Sequence, residues 1–174
     1  LYEETLSQRS TTGITLGELL TQIGIVPGIK VDQGLVDLNA DGEKVTQGLD
    51  GLAERLTEYK AMGAKFAKWR AVYDVGHQKP SIMAIHANAH ALARYAKICQ
   101  TCDIVPIVEP EVLMDGEHTI QKCAEVTEAV LHEVFNQLYL HQADLSGIIL
   151  KPSMVIAGSS CTKQASVDEV AIHT

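Results

Sequence analysis

Positive charge is in the minority in this sequence: 14 Lys and Arg stand against 22 Asp and Glu, a formal net charge of −8 over 174 residues. The basic residues do not cluster, which argues against a nucleic-acid partner, because such surfaces need a basic patch to meet phosphates. The acidic balance reads as a solubility feature. Apolar runs are short. None approaches the ~18–20 residues that span a bilayer, so no membrane partner is expected. Cysteine is sparse as well. Cys99, Cys102, Cys123 and Cys161 are too few for a disulfide scaffold in a chain of this length, and a reducing, cytoplasmic setting is expected. Linkers rich in Pro, Gly or Ser, low-complexity tracts and long charge runs are all missing, so residues 1–174 read as one domain.

Several sites are incomplete. Gly13, Gly17 and Gly24 form no phosphate-cradling loop, and the absence of a Gly-rich fingerprint leaves flavin or nicotinamide chemistry without support. Cys99-Gln-Thr-Cys102 lacks the second pair that a zinc site would supply, and reads as free thiols. His86 and His90 have the i,i+4 spacing of a helical zinc pair. The glutamate that would follow the first His is Ala87, so they read as surface or inter-subunit histidines. No metal and no cofactor is expected.

What is present is an ordinary apolar fraction, 46% hydrophobic against 21% charged, enough to bury a core and exclude disorder. Short apolar runs alternate with helix-period segments. Strands are expected at Gly28–Val31, Ala64–Arg70, Ile104–Val108 and Leu145–Leu150, with Leu1-Tyr2 as the tail of an earlier one. Helices are expected over Thr46–Met62 (closed by Gly63), Ser81–Gln100, Ile120–Leu138 and from Ser166 onward, with a weak one at Gly17–Gln22. Ser166-Val-Asp-Glu169 fits the capping box, in which Ser and Glu side chains each satisfy a free backbone N–H. That helix runs out at His173-Thr174. With no initiator Met either, the sequence is expected to be cut at both ends. Trp69 is expected on an outer, packing face, and Asp115-Gly116 as a turn.

The pattern is βαβαβαβα, and its strands are near-continuous apolar runs, as in a parallel sheet covered on both faces. Each run ends in charge: Lys30, then Lys68 and Arg70, then Glu109, then Lys151, at intervals of about forty residues. Charges at the carboxyl ends of parallel strands mark the catalytic rim of α/β folds. A closed (β/α)8 barrel takes about 250 residues, so four units make either half a barrel or a small open sheet. Side chains alternate along a strand. Lys68 and Arg70 therefore share one face with Glu109 and Glu111 of the next strand. Glu109 falls between Lys68 and Lys151 if consecutive strands are neighbours.

That triplet could carry imine chemistry. A neutral lysine attacks a ketone, and a second ammonium nearby and an apolar wall, here Gly147-Ile-Ile-Leu150, both disfavour an amine's charged form. The resulting iminium is an electron sink for breaking an adjacent C–C bond, and a carboxylate such as Glu109 can move the protons. Lys30 and Arg70 suit phosphate or sugar oxygens. The alternative for the same residues is a buried Lys–Glu–Lys ionic network without chemistry.

The segments GIKVD (Gly28–Asp32), TQGLDGLAER (Thr46–Arg55), AKFAKWR (Ala64–Arg70), ALARYAKICQ (Ala91–Gln100), IVPIVEPEVL (Ile104–Leu113) and ILKPSMV (Ile149–Val155) closely resemble class I fructose-1,6-bisphosphate aldolase, in order along nearly the whole chain. The resemblance implies an α/β fold, a (β/α)8 TIM barrel of which this chain supplies about strands three to six. It implies a metal-independent lyase of glycolysis and gluconeogenesis, usually a homotetramer, that interconverts fructose 1,6-bisphosphate with dihydroxyacetone phosphate and glyceraldehyde 3-phosphate. By resemblance Lys151 is the Schiff-base lysine, Glu109 the general acid/base, Glu111 a supporting carboxylate and Lys68 the cationic partner, with Lys30 and Arg70 lining the substrate and phosphate region. The family's first-strand acid and its later phosphate loops have no counterpart in these residues, and Ser146-Gly147 stands where many members have Glu-Gly. Two other readings remain: a catalytically incomplete aldolase-like segment with a binding or assembly role, and another Schiff-base lyase of ketose phosphates. The segment alone is expected to be inactive.

Overall fold

The computed structural model describes residues 1–174. Two short helices, α1 (Glu3–Ser7) and α2 (Leu16–Gln22), precede β1 (Gly28–Lys30). A hairpin of β2 (Leu35–Asp37) and β3 (Lys44–Thr46) leads into α3 (Leu52–Ala61). Then follow β4 (Phe66–Tyr73), α4 (Ile82–Thr101), β5 (Val105–Val112), α5 (Ile120–Leu140), a 3-10 turn at Leu145–Gly147, β6 (Ile149–Leu150) and α6 (Val167–His173). β1, β4, β5 and β6 form one parallel sheet in that order, each strand beside the next parallel one in the chain. No helix is long and apolar enough to cross a membrane.

Local chemistry accounts for the helix ends. Ser81 and Thr119 accept the N3 backbone N–H of α4 and α5, and α6 carries the full Ser166/Glu169 capping box. α2 is closed at its start by a second box, Thr15 with Glu18. α3 ends in a Schellman arrangement: Ala64 N–H reaches Tyr59 O at 3.0 Å and Gly63 N–H reaches Lys60 O at 3.0 Å, with Gly63 at a positive φ of 97°.

Alternation along β4 sorts its two faces. Ala67, Trp69 and Ala71 are buried, while Phe66, Lys68 and Arg70 on the other face are half-buried. Trp69 stacks on Tyr95 of α4 at 5.5 Å between ring centroids, the outer-face packing role expected of it. Tyr95 also donates its hydroxyl to Ala67 O at 2.7 Å and lies 3.3 Å from Ile107 O, tying α4 to both central strands.

The structure corrects several boundaries. β5 runs past Val108 to Val112 despite Pro106 and Pro110. Val105 N–H bonds Lys65 O and Leu113 N–H bonds Tyr73 O, so odd-numbered residues of β5 donate toward β4. Both prolines therefore fall on positions facing the two-residue β6, where few ladder donors are needed. β6 is shorter than expected because Asp144 accepts the Ser146 N–H and hydroxyl, winding Leu145–Gly147 into a turn.

The helix expected from Thr46 begins only at Leu52. Gly48 (φ 122°) and Gly51 (φ 64°) adopt left-handed backbone, and Thr46 instead pairs with Leu35 in the unanticipated hairpin. Leu1 belongs to no strand. It nonetheless occupies a strand's place beside β1, exchanging hydrogen bonds with Gly28 O and Lys30 N–H. Gly116 forms a bend, as expected of Asp115-Gly116.

The outer edge of β6 is unpaired, and an apolar hollow of about 620 Å³ opens between Met154, Ile156 and α6. An uncovered sheet edge beside exposed apolar surface drives association. Residues 1–174 alone are therefore expected to self-associate or to lack a cooperative melt. Sedimentation velocity with a thermal scan checks this, and a sharply melting monomer would contradict it.

Candidate active site

The sheet gathers the rim charges onto one face. In register, Lys30 lies opposite Lys68, which lies opposite Ile107, which lies opposite Ile149. One step along, Arg70 lies opposite Glu109, and Lys151 N–H bonds Val108 O at 2.8 Å just after β6. Lys68, Arg70, Glu109 and Glu111 thus sit inside strands that run on past them, rather than at the strand ends.

Glu109 is the hub. Its side chain is 5% exposed. Lys151 Nζ donates to Oε1 at 2.6 Å, and Lys68 Nζ lies 2.7 Å from Oε2 as an ion pair, off the direction of an aligned hydrogen bond. One carboxylate therefore separates two ammoniums that come from the strands on either side. Burial pushes the Glu109 carboxyl up. The contacts from Lys151 and Lys68 outweigh burial and hold it below the usual carboxylate range.

Around this hub are two further pairs. Arg70 Nε donates to Glu111 Oε2, which raises the already high guanidinium pKa against the opposing effect of burial. Lys30 Nζ pairs with Asp32 Oδ1. Beside Glu109, Glu111 and Lys151 is a cleft of about 230 Å³, lined also by Met114, Pro152 and Met154. The larger apolar hollow against α6 is lined by no titratable side chain, whereas Glu109, Glu111 and Lys151 all line the smaller cleft.

Two details depart from the sequence reading. The apolar approach to Lys151 does not wall it in: its side chain is 59% exposed, and Ile149 is itself exposed. The open side of the sheet offers no neighbouring strand to cover them. The two ammoniums also do not face each other directly, because Glu109 stands between them.

The features set aside in the sequence lie away from this rim. Cys99 is buried, which pushes its thiol pKa up, and all four cysteines are free. His86 pairs with Glu133 at 2.8 Å, and His90 lies edge-on to His141, both on the exposed side of α4 and α5. Asp32 was missed as a rim residue. The available signal was its spacing, two positions beyond Lys30 and hence on the same face of an extended chain.

Comparison with known proteins gives the chain a family. The glycolytic family model described as Fructose-bisphosphate aldolase class-I matches residues 1–174. The chain is 54% identical to a protein of Xanthomonas axonopodis pv. citri (strain 306) named probable fructose-bisphosphate aldolase class 1, across 100% of this chain and 52% of that one. It is 53% identical to Arabidopsis thaliana fructose-bisphosphate aldolase 6, cytosolic, across 100% of this chain and 49% of the relative. The Plasmodium falciparum fructose-bisphosphate aldolase, solved in complex with TRAP and a small-molecule inhibitor, superposes with a TM-score of 0.97 at 50% identity, over 100% of this chain and 51% of that one. The chain spans about half the length of the curated relatives it matches. Its open sheet is therefore part of a TIM barrel, not a small complete sheet.

The depressed Glu109 pKa sets a pH dependence. A carboxyl whose folded pKa lies below its unfolded value stabilises the fold above the unfolded value of about 4.3, and that contribution is lost as pH falls through the folded value. Glu109→Gln is expected to destabilise the full-length protein at neutral pH, with the gap from the parent closing on acidification. Denaturant melts at neutral and acid pH measure it; a gap that holds constant or widens toward acid would refute the assignment.

Proposed function

From the premise that the chain belongs to the class-I fructose-bisphosphate aldolase family, we propose that residues 1–174 are one partial domain, the catalytic middle of a barrel that cleaves fructose 1,6-bisphosphate to dihydroxyacetone phosphate and glyceraldehyde 3-phosphate. The observation that carries this reading is the Lys151–Glu109–Lys68 triad, with Glu109 Oε1 2.6 Å from Lys151 Nζ.

The chemistry follows from what each group can do at its position. Lys151 must be neutral to attack, and Glu109 Oε1 is the nearest base for the proton it sheds. The amine adds to the ketone carbon to give a carbinolamine. Glu109, now protonated, returns a proton to the departing hydroxyl, and the iminium remains. Glu109, a carboxylate again, then takes the proton from the hydroxyl on the far side of the scissile bond, which lets the C–C bond break. Its electron pair moves into the iminium, giving an enamine, and the aldehyde product leaves. Protonation of the enamine carbon and hydrolysis of the iminium release the second product and restore the amine.

Lys68 holds the second oxygen of Glu109, so the carboxylate keeps one oxygen toward Lys151 throughout. Glu111 is the supporting carboxylate. Its partner Arg70, with Lys30, supplies cations for substrate phosphate and hydroxyl oxygens. The remaining walls of the pocket come from barrel strands outside these residues, which accounts for the exposure of Lys151 here. The family's homotetrameric assembly and a cytoplasmic location, the latter matching a cytosolic relative, belong to the same proposal.

Borohydride reduction of the full-length protein with dihydroxyacetone phosphate is expected to leave a stable adduct on Lys151, found by peptide mass spectrometry and lost in Lys151→Met. An adduct elsewhere would sink the reading. Glu109→Gln keeps shape and removes the proton carrier. Its kcat is expected to fall about 10²–10⁴-fold in a coupled steady-state assay, and an unchanged kcat would reject the proton-transfer role.

A further inference from the structure

Asp32 is costly where it stands. Its side chain is 5% exposed, and of its two oxygens only Oδ1 has a partner, Lys30 Nζ. Oδ2 is buried with no donor. Desolvating a carboxylate and leaving half its acceptor capacity unused weakens a fold, and an apolar or amide residue of similar size would cost less. Packing does not account for this charge; what it does to Lys30 can.

The geometry around it is that of a tether. Lys30 Nζ donates to Asp32 twice, to Oδ1 and to the backbone carbonyl at 3.3 Å, so one residue holds the ammonium by two oxygens. The chain that carries Asp32 is pinned on both sides. Val31 N–H bonds Lys68 O at 3.1 Å, Arg55 Nη1 of α3 donates to Val31 O at 3.0 Å, and Gln33 N–H bonds Gln47 O at 2.9 Å. A lysine on a flexible four-carbon stem is thereby fixed at one place on the rim, in register beside Lys68. The tether also draws Lys30 to its own strand, away from Glu109, whose two oxygens stay with Lys68 and Lys151.

We propose that Asp32 is a positioning residue: it holds the Lys30 ammonium in place to meet a phosphate oxyanion of the substrate. This rests on the function proposed above only in taking a phosphorylated sugar as the ligand.

The test is a double-mutant cycle on the full-length protein, reading the dissociation constant for hexitol 1,6-bisphosphate, which has no carbonyl to be captured or cleaved, by calorimetry beside kcat for fructose 1,6-bisphosphate. Asp32→Asn is expected to weaken binding about tenfold, the scale of one charge-assisted contact, with kcat within about threefold of the parent. Lys30→Met is expected to weaken binding at least as much, and the double variant no further than Lys30→Met alone, because Asp32 acts through Lys30. Asp32→Glu keeps the charge and should recover part of the loss; it also serves if the Asn variant does not fold. Additive losses, unchanged binding in the Asp32 variants, or a fall confined to kcat would each overturn the proposal. Calorimetry reads binding whether or not an imine forms, so failure of borohydride trapping at Lys151 is a separate result.

Discussion

A single buried carboxylate shared between two ammoniums is the interaction on which this rim depends. Glu109 would be expensive in its position without cations, and Lys68 and Lys151 would repel each other without Glu109. None of the three is adjacent to another in sequence. Their meeting requires three neighbouring parallel strands in a fixed register. A slip of one residue would turn β5's charges toward the helices and bury Val108 and Pro110 positions on the wrong face.

The rest of the fold reads as support for that register. Trp69 and Tyr95 lock β4 to α4 on the face opposite the charges, and the Tyr95 hydroxyl reaches carbonyls of both central strands. On the rim side the β2–β3 hairpin plays a similar part. Thr46 donates its hydroxyl to Arg70 O at 2.7 Å. Glu43, the buried acid of the hairpin's turn, accepts from Asn39 and from both the backbone and hydroxyl of Ser81 at the start of α4. Burial pushes the Glu43 carboxyl up, and these hydrogen bonds more than reverse it. α4 and the hairpin thus hold the strands from which the charged side chains project.

Much of this was legible before any coordinates. The apolar runs ending in Lys30, Lys68, Glu109 and Lys151 located the four parallel strands, because a strand covered on both faces needs a continuous apolar run. The alternation rule placed Lys68, Arg70, Glu109 and Glu111 on one face, where they are found. The Ser166/Glu169 capping box and Gly63 marked helix ends, since those signals act over a few residues. The hairpin at Leu35–Thr46 escaped, because its strands are three residues each and mostly polar or exposed. The full length of β5 escaped because proline argues against a strand unless one knows which neighbour each N–H faces.

The sequence by itself determined the order of elements, the strands that carry charge and the chemical types available at the rim, because apolar period, caps and turns are local properties of the chain. Tertiary structure alone decided which charges meet. It set Glu109 between two lysines, paired Arg70 with Glu111, and gave Asp32 to Lys30 with one oxygen left unpartnered. These outcomes depend on strand register, side-chain reach and the presence or absence of a covering neighbour, and such distances exist only once remote segments lie side by side.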